Sequence, residues 1–146
     1  MSIQSKQFQA YLAGFLDGDG SIYVRAKPNS SYKYGFQISS YVAFFQSTTS
    51  KHFKDMVAMI GYGNLRVRKD GIYEFTISKQ TEIIEFLELV SPYLLLKKEQ
   101  SNLMLDILAL KAKVTSKEDF SLLLKKIDSF RELNYSKKRK TRTLTP

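Results

Sequence analysis

The chain has 146 residues and no cysteine, with 43% hydrophobic and 25% charged residues, so it is the size of one compact domain and excludes disulfides and cysteine-based zinc sites. It is too apolar to be disordered, and no apolar run approaches the roughly 20 residues of a membrane span. The net charge of +9 is unevenly placed: residues 1–54 hold six basic and two acidic groups, 55–136 hold twelve of each, and 137–146 hold five basic groups and no acid. Positive ends around a neutral middle predict a polyanion footprint with nucleic acid as the leading partner, although a solubilising surface with a basic tail has the same composition. The N-terminal MSIQSKQFQ lacks the apolar run of a secretory signal, which points to a cytosol-like compartment such as an organelle stroma or matrix.

From Ser5 to Leu16 the spacing predicts a helix, with Phe8, Tyr11, Leu12, Phe15 and Leu16 on one stripe behind a Ser5 cap. Opposite the stripe, Ala10, Ala13 and Gly14 form a row of small residues that would let another helix approach closely, so two such helices could cross there. Ile22, Val24 and Ala26 then alternate with Tyr23, Arg25 and Lys27 as a half-buried strand that stops at Pro28. A turn containing Asn29 and Tyr32 follows. The alternation resumes with Tyr34, Phe36, Ile38, Val42 and Phe44 on one face and Gln37, Ser39, Tyr41 and Phe45 on the other, so the two strands form a hairpin.

Thr49 to Met59 reads as a short helix carrying the only histidine, His52, as a surface residue. Leu65 and Val67 alternate with Asn64, Arg66 and Arg68. Asp70-Gly71 supplies a hairpin turn, after which Tyr73, Phe75 and Ile77 alternate with Glu74 and Thr76. Helices follow at Thr81–Val90, Lys97–Ala112 and Ser116–Leu133, the last opening with Ser116 and Asp119 at capping-box spacing. The order αββαββααα predicts an α+β fold over residues 1–136. One face of all four strands should lie against the helices, and the other forms a polar, basic surface carrying Tyr23, Arg25, Lys27, Gln37, Tyr41, Arg66 and Arg68. Residues 137–146 form a basic C-terminal tail, in which Lys137, Lys138, Arg139, Lys140 and Arg142 are candidates for phosphate contacts.

The chemistry concentrates in Leu12-Ala13-Gly14-Phe15-Leu16-Asp17-Gly18-Asp19-Gly20. Asp17 and Asp19 are the only acids among the first 54 residues. Carboxylates inside a basic surface suit a divalent cation, since Mg²⁺ takes hard oxygen ligands and is often held by one or two carboxylates with phosphate and water. Capping of a glycine-rich turn is the alternative.

These nine residues resemble the LAGLIDADG motif of homing endonucleases at six of nine positions, with Phe15, Leu16 and Gly18 as the substitutions. The likeness extends over nearly the whole chain, through Gly20-Ser21-Ile22 and Pro92-Tyr93-Leu94 to Lys97-Lys98-Glu99-Gln100-Ser101-Asn102-Leu103, and is greatest to the single-motif, homodimeric group of algal organellar introns. It implies an αββαββα core whose antiparallel sheet makes a DNA-binding saddle, and a sequence-specific nuclease that makes a Mg²⁺-dependent double-strand break in a long pseudo-palindromic site. Mn²⁺ should substitute, and Ca²⁺ should bind without efficient cleavage. The resemblance implies that Asp19 and the Gly18 carbonyl are metal ligands, that Gln46 orders water and that Lys97 supports the reacting phosphate, while Asp17 is a structural group at the helix end. Ala10, Ala13 and Gly14 would form the dimer interface, and Lys51 follows the strand where relatives carry another basic residue. The sheet face with Asn29, Tyr32, Ser39, Asn64, Glu74 and Thr76 would contact the double-stranded DNA. An organelle, chloroplast or mitochondrion, is the implied location, with no membrane and no small-molecule substrate. An intron-RNA maturase of the same family and a noncatalytic DNA-binding module are the competing readings.

Overall fold

A computed structural model describes residues 2–133, in the order α1 (Lys6–Asp19), β1 (Gly20–Pro28), β2 (Phe36–Ser47), α2 (Phe53–Ala58), β3 (Asn64–Val67), β4 (Ile72–Ile77), α3 (Gln80–Val90), a 3-10 turn (Ser91–Tyr93), α4 (Lys98–Ala112) and α5 (Lys117–Leu133). The four strands form one sheet in the order β1-β2-β4-β3, in which β4 pairs antiparallel with both β2 and β3. Contacts gather the described residues into two compact units, residues 2–23 with 40–98, and residues 24–39 with 99–133.

In the first unit, α1 begins where Ser5, in extended conformation, accepts the Phe8 N–H on its Oγ at 3.3 Å. Phe8, Leu12 and Leu16 are buried at i, i+4 and i+8, and α1 packs against α3 and the 3-10 turn. Phe44 of β2 centres the aromatic core, meeting Phe15 edge-on at 5.3 Å and Phe86 at 5.9 Å between ring centroids. The helix ends without a loop. Gly20 caps it, with its N–H donating to the Leu16 carbonyl, and is also the first residue of β1. A Cβ at Gly20 would lie 2.5 Å from Leu16 Cδ1 and 2.9 Å from Leu16 Cα, so the strand can leave this closely only from a glycine.

In the second unit, Met104, Ile107 and Leu108 of α4 are buried with Phe120, Leu123, Ile127 and Phe130 of α5. Tyr34 stacks on Phe120 at 4.9 Å. The loop between β1 and β2 is closed by the Asn29 N–H donating to the Gly35 carbonyl at 2.9 Å, and Asn29 Oδ1 accepts the Ser31 N–H at 3.0 Å.

Several expectations are corrected. The buried arc of α1 is Phe8, Gln9, Leu12, Ala13 and Leu16, so Ala13 belongs to the core at 0% exposure and not to an open row. Tyr11, placed on the apolar stripe, is 55% exposed and lies at its margin against Phe8 and Phe15. The open row is Ala10, Gly14 and Gly18, spaced at i, i+4 and i+8. α2 starts at Phe53 and not Thr49, because Ser47 and Thr49 hold local bonds that compete with a helix: Thr49 N–H to Ser47 Oγ at 3.2 Å and Ser50 N–H to the Ser47 carbonyl at 3.0 Å. β3 does not bury a full face. It is a four-residue edge strand whose Leu65 is half-buried and whose Val67 is 62% exposed. At the start of α5 the Asp119 N–H donates to Ser116 Oγ at 3.1 Å, but the Asp119 carboxylate reaches back to Thr115, one residue earlier than a capping box requires.

Candidate functional site

α1 carries both motif carboxylates on its last turn, and the tertiary structure separates them. Asp17 Oδ2 accepts the backbone N–H groups of Leu95 at 2.8 Å and Leu96 at 3.1 Å, and Oδ1 accepts that of Lys97 at 2.9 Å. Burial works to raise the Asp17 pKa, but the three N–H donors and the nearby Lys97 ammonium outweigh it and hold the carboxyl below its ordinary value of 3.8. Lys97 Nζ donates to the Asp17 backbone carbonyl at 2.9 Å, where a cation complements the negative end of the helix. The segment between the 3-10 turn and α4 is thus tied to the end of α1 by four bonds.

Asp19 is the last residue of α1 and is exposed. Among the described residues its carboxylate makes no hydrogen bond or ion pair. The row Ala10, Gly14 and Gly18 runs along the helix toward it, and a Cβ added at Gly14 or Gly18 would meet nothing within 4 Å. A hard oxygen donor without a partner among the described residues fits a divalent cation, yet one carboxylate is too few to hold it. No cluster of three His, Cys, Asp or Glu that could bind a metal occurs among the described residues. Gln46 stands at the end of β2, opposite Tyr73 of β4, with its Oε1 accepting the Ser47 N–H at 3.0 Å. Lys97 lies one hydrogen bond from the turn that bears Asp19. Lys51 is exposed in the segment before α2.

The outward face of the sheet follows from the pairing register. Alternate residues Ile22, Val24, Val42, Phe44, Phe75 and Ile77 are buried, so Tyr23, Tyr41, Ala43, Phe45, Glu74 and Thr76 turn the other way. Across the strands they form the rows Ala43–Thr76–Asn64 and Phe45–Glu74–Arg66. Tyr23 and Tyr41 stack at 4.9 Å with 22° between ring planes. Arg66 pairs with Glu74 at 2.9 Å and is itself 63% exposed. Arg68 lies one residue past β3, where it pairs with Asp70 at 2.8 Å in the turn that Gly71 completes with φ of +80°. Arg25 and Lys27 are exposed on β1, and Ser39 is half-buried on β2. In the second unit Asn29 Oδ1 accepts from Ser31 within its own loop, while Tyr32 and Gln37 line a cavity of about 360 Å³ with Tyr34 and Phe120. Lys137, Lys138, Arg139, Lys140 and Arg142 fall outside the described residues.

Two features of the site escape the sequence pattern. The 95–97 backbone reaches Asp17 from about 80 residues away, with no local signal, and Ala43 is 1% exposed although its register turns it outward.

Residues 12–105 match the family model described as LAGLIDADG endonuclease. The chain is 38% identical to the DNA endonuclease I-CreI of Chlamydomonas reinhardtii over 143 residues, covering 97% of this chain and 87% of that protein. It is 37% identical to the DNA endonuclease I-CvuI of Chlorella vulgaris over 117 residues, covering 79% and 70%. A crystal structure of I-CvuI with the I-CreI target in 2 mM Mg, with the DNA not cleaved, superposes with a TM-score of 0.81 at 32% identity, covering 89% of this chain and 84% of that one. I-CvuI with its own target in 2 mM Ca matches with the same TM-score of 0.81 at 31% identity, covering 89% of this chain and 83% of that one. The chain belongs to the LAGLIDADG endonuclease family.

Proposed function

We propose that this protein is a homodimeric, divalent-metal-dependent endonuclease that cuts both strands of a long, partly palindromic DNA site. The observation that carries the reading is the Asp19 carboxylate, exposed and without partners among the described residues, just past an open row of small residues. Two copies of α1 crossing along Ala10, Gly14 and Gly18 would bring two Asp19 carboxylates together and complete a donor set that one chain lacks.

Asp19 and the Gly18 carbonyl would hold the cation, Mg²⁺ or Mn²⁺ in turnover and Ca²⁺ in an uncleaved complex. When bound, the cation supplies charge stabilisation to the reacting phosphate. Gln46 orients the attacking water, and Lys97, fixed against the end of α1, offers positive charge to the phosphate. The outward sheet face reads bases and the basic tail contacts the backbone of the duplex. The organisms of the relatives, both green algae, support an organellar setting.

Incubation with a randomised duplex library and Mg²⁺, followed by sequencing of cut ends, tests the reading. One recurring cut sequence with two-fold symmetry is expected, and its loss on chelation. No recurring cut, or cutting that survives chelation, refutes it.

A further inference from the structure

We infer that the active-site end of the outward sheet face reads the C5-methyl groups of thymine, in a strip formed by the rings of Tyr23, Tyr41 and Phe45 around the enclosed Ala43. β1 leaves Asp19 directly and reaches Tyr23 four residues on, and Phe45 immediately precedes Gln46, so the strip adjoins the candidate catalytic groups along both strands. Strand alternation places all four on the outward face, where Tyr23, Tyr41 and Phe45 are half-buried and Ala43 is enclosed at 1% exposure.

Their chemistry is unlike the rest of that face. The stacked rings of Tyr23 and Tyr41, 4.9 Å apart, present a rigid apolar surface. Ala43 stands between Tyr41 and Phe45 on β2 with almost no exposed area, so the accessible surface of the strip is that of the three rings. Bidentate readout of guanine requires Arg or Lys, and of adenine Asn or Gln, and none of these stands at positions 23, 41, 43 or 45. The feature of the major groove that apolar side chains recognise is the thymine methyl. Arg25 and Lys27 come two and four residues after Tyr23 along β1, away from Asp19. The half-site should therefore be read by methyl contact near the cut and by hydrogen bonds further out.

The inference rests on the nuclease reading above, and its test separates the two. Randomised duplex libraries are prepared with thymine or with uracil, which keeps base pairing and the O4 acceptor and removes only the methyl, and the wild-type protein selects from each by binding in Ca²⁺ and by cutting in Mg²⁺. Thymine is expected at one or two inner positions of each half-site, with affinity about fourfold lower per lost methyl in the uracil library. Tyr41→Ser should make the two libraries equivalent at those positions and leave the outer preferences unchanged. An inner preference that is the same in both libraries, or one for guanine, overturns the inference whatever the variant does. Methyl-dependent binding without cutting supports the inference while overturning the nuclease reading. Selection of no sequence from either library overturns both.

Discussion

Asp17 and Asp19 stand two residues apart on the same helical turn, yet Asp17 commits both oxygens to three backbone N–H groups of residues 95–97 while Asp19 faces solvent with no partner among the described residues. The difference lies in which side of α1 each occupies. Asp17 meets the segment leading into α4, and Asp19 is exposed at the end of the helix, next to the open Gly18. One acid is thus an internal clasp that holds the site in place, and the other is a donor still available to a cation, a phosphate-bound ion or a second subunit. Two acids alike in residue type thus differ in whether their oxygens are already bonded among the described residues.

Five changes break or sharpen that contrast. Asp19→Asn should have the largest effect, reducing cleavage by about 10³-fold or more with folding and DNA binding retained, as read from cleavage rates and band shifts. Near-wild-type cutting would remove Asp19 from the chemistry. Gly14→Leu, where a single chain has room for a side chain, should leave the fold intact and convert the dimer to monomer in sedimentation, with cleavage lost. Lys97→Met should slow cleavage about 10²-fold while costing at most about 1 kcal/mol of stability through the lost helix-end contact.

Asp17→Ala should act in the opposite sense, destabilising the fold by about 2–3 kcal/mol in urea titration because three N–H groups lose a charged acceptor. If stability is unchanged and only metal affinity falls, the clasp assignment is wrong. The smallest effect is in acid. The folded pKa of Asp17 lies below the unfolded value of 3.8, so the unfolded chain takes up the proton first and the stabilisation is complete above 3.8 and lost as pH falls through the folded pKa. Asp17→Asn should flatten that acid limb and leave the slope near neutral pH unchanged, in denaturation series across pH.

The parts of the molecule legible in the sequence are those whose cause is local. Ser5 caps α1 through a bond three residues long, Asp70-Gly71 turns the second hairpin because Gly71 takes the positive φ, and the strict alternation from Ile22 to Lys27 places Arg25 and Lys27 outward. The motif residues likewise mark Asp19, since a carboxylate beside glycine on a basic surface is conspicuous without any coordinates.

Only the tertiary structure decided what distant elements do to those residues. Ala13 and Gly14 are neighbours of similar size, but Ala13 lies on the arc with Gln9 and Leu16 and is enclosed, while Gly14 is open. Val67 fits the strand pattern as well as Phe75 does, yet it sits on an edge strand and stays 62% exposed. Asp17 and Asp19 are the same residue in nearly the same local context, and their surroundings diverge because the chain returns some 80 residues later to present three N–H groups to Asp17 and, among the described residues, none to Asp19. Periodicity and propensity act over a few residues, whereas burial and hydrogen-bond partners at such sites depend on which segment the fold brings alongside.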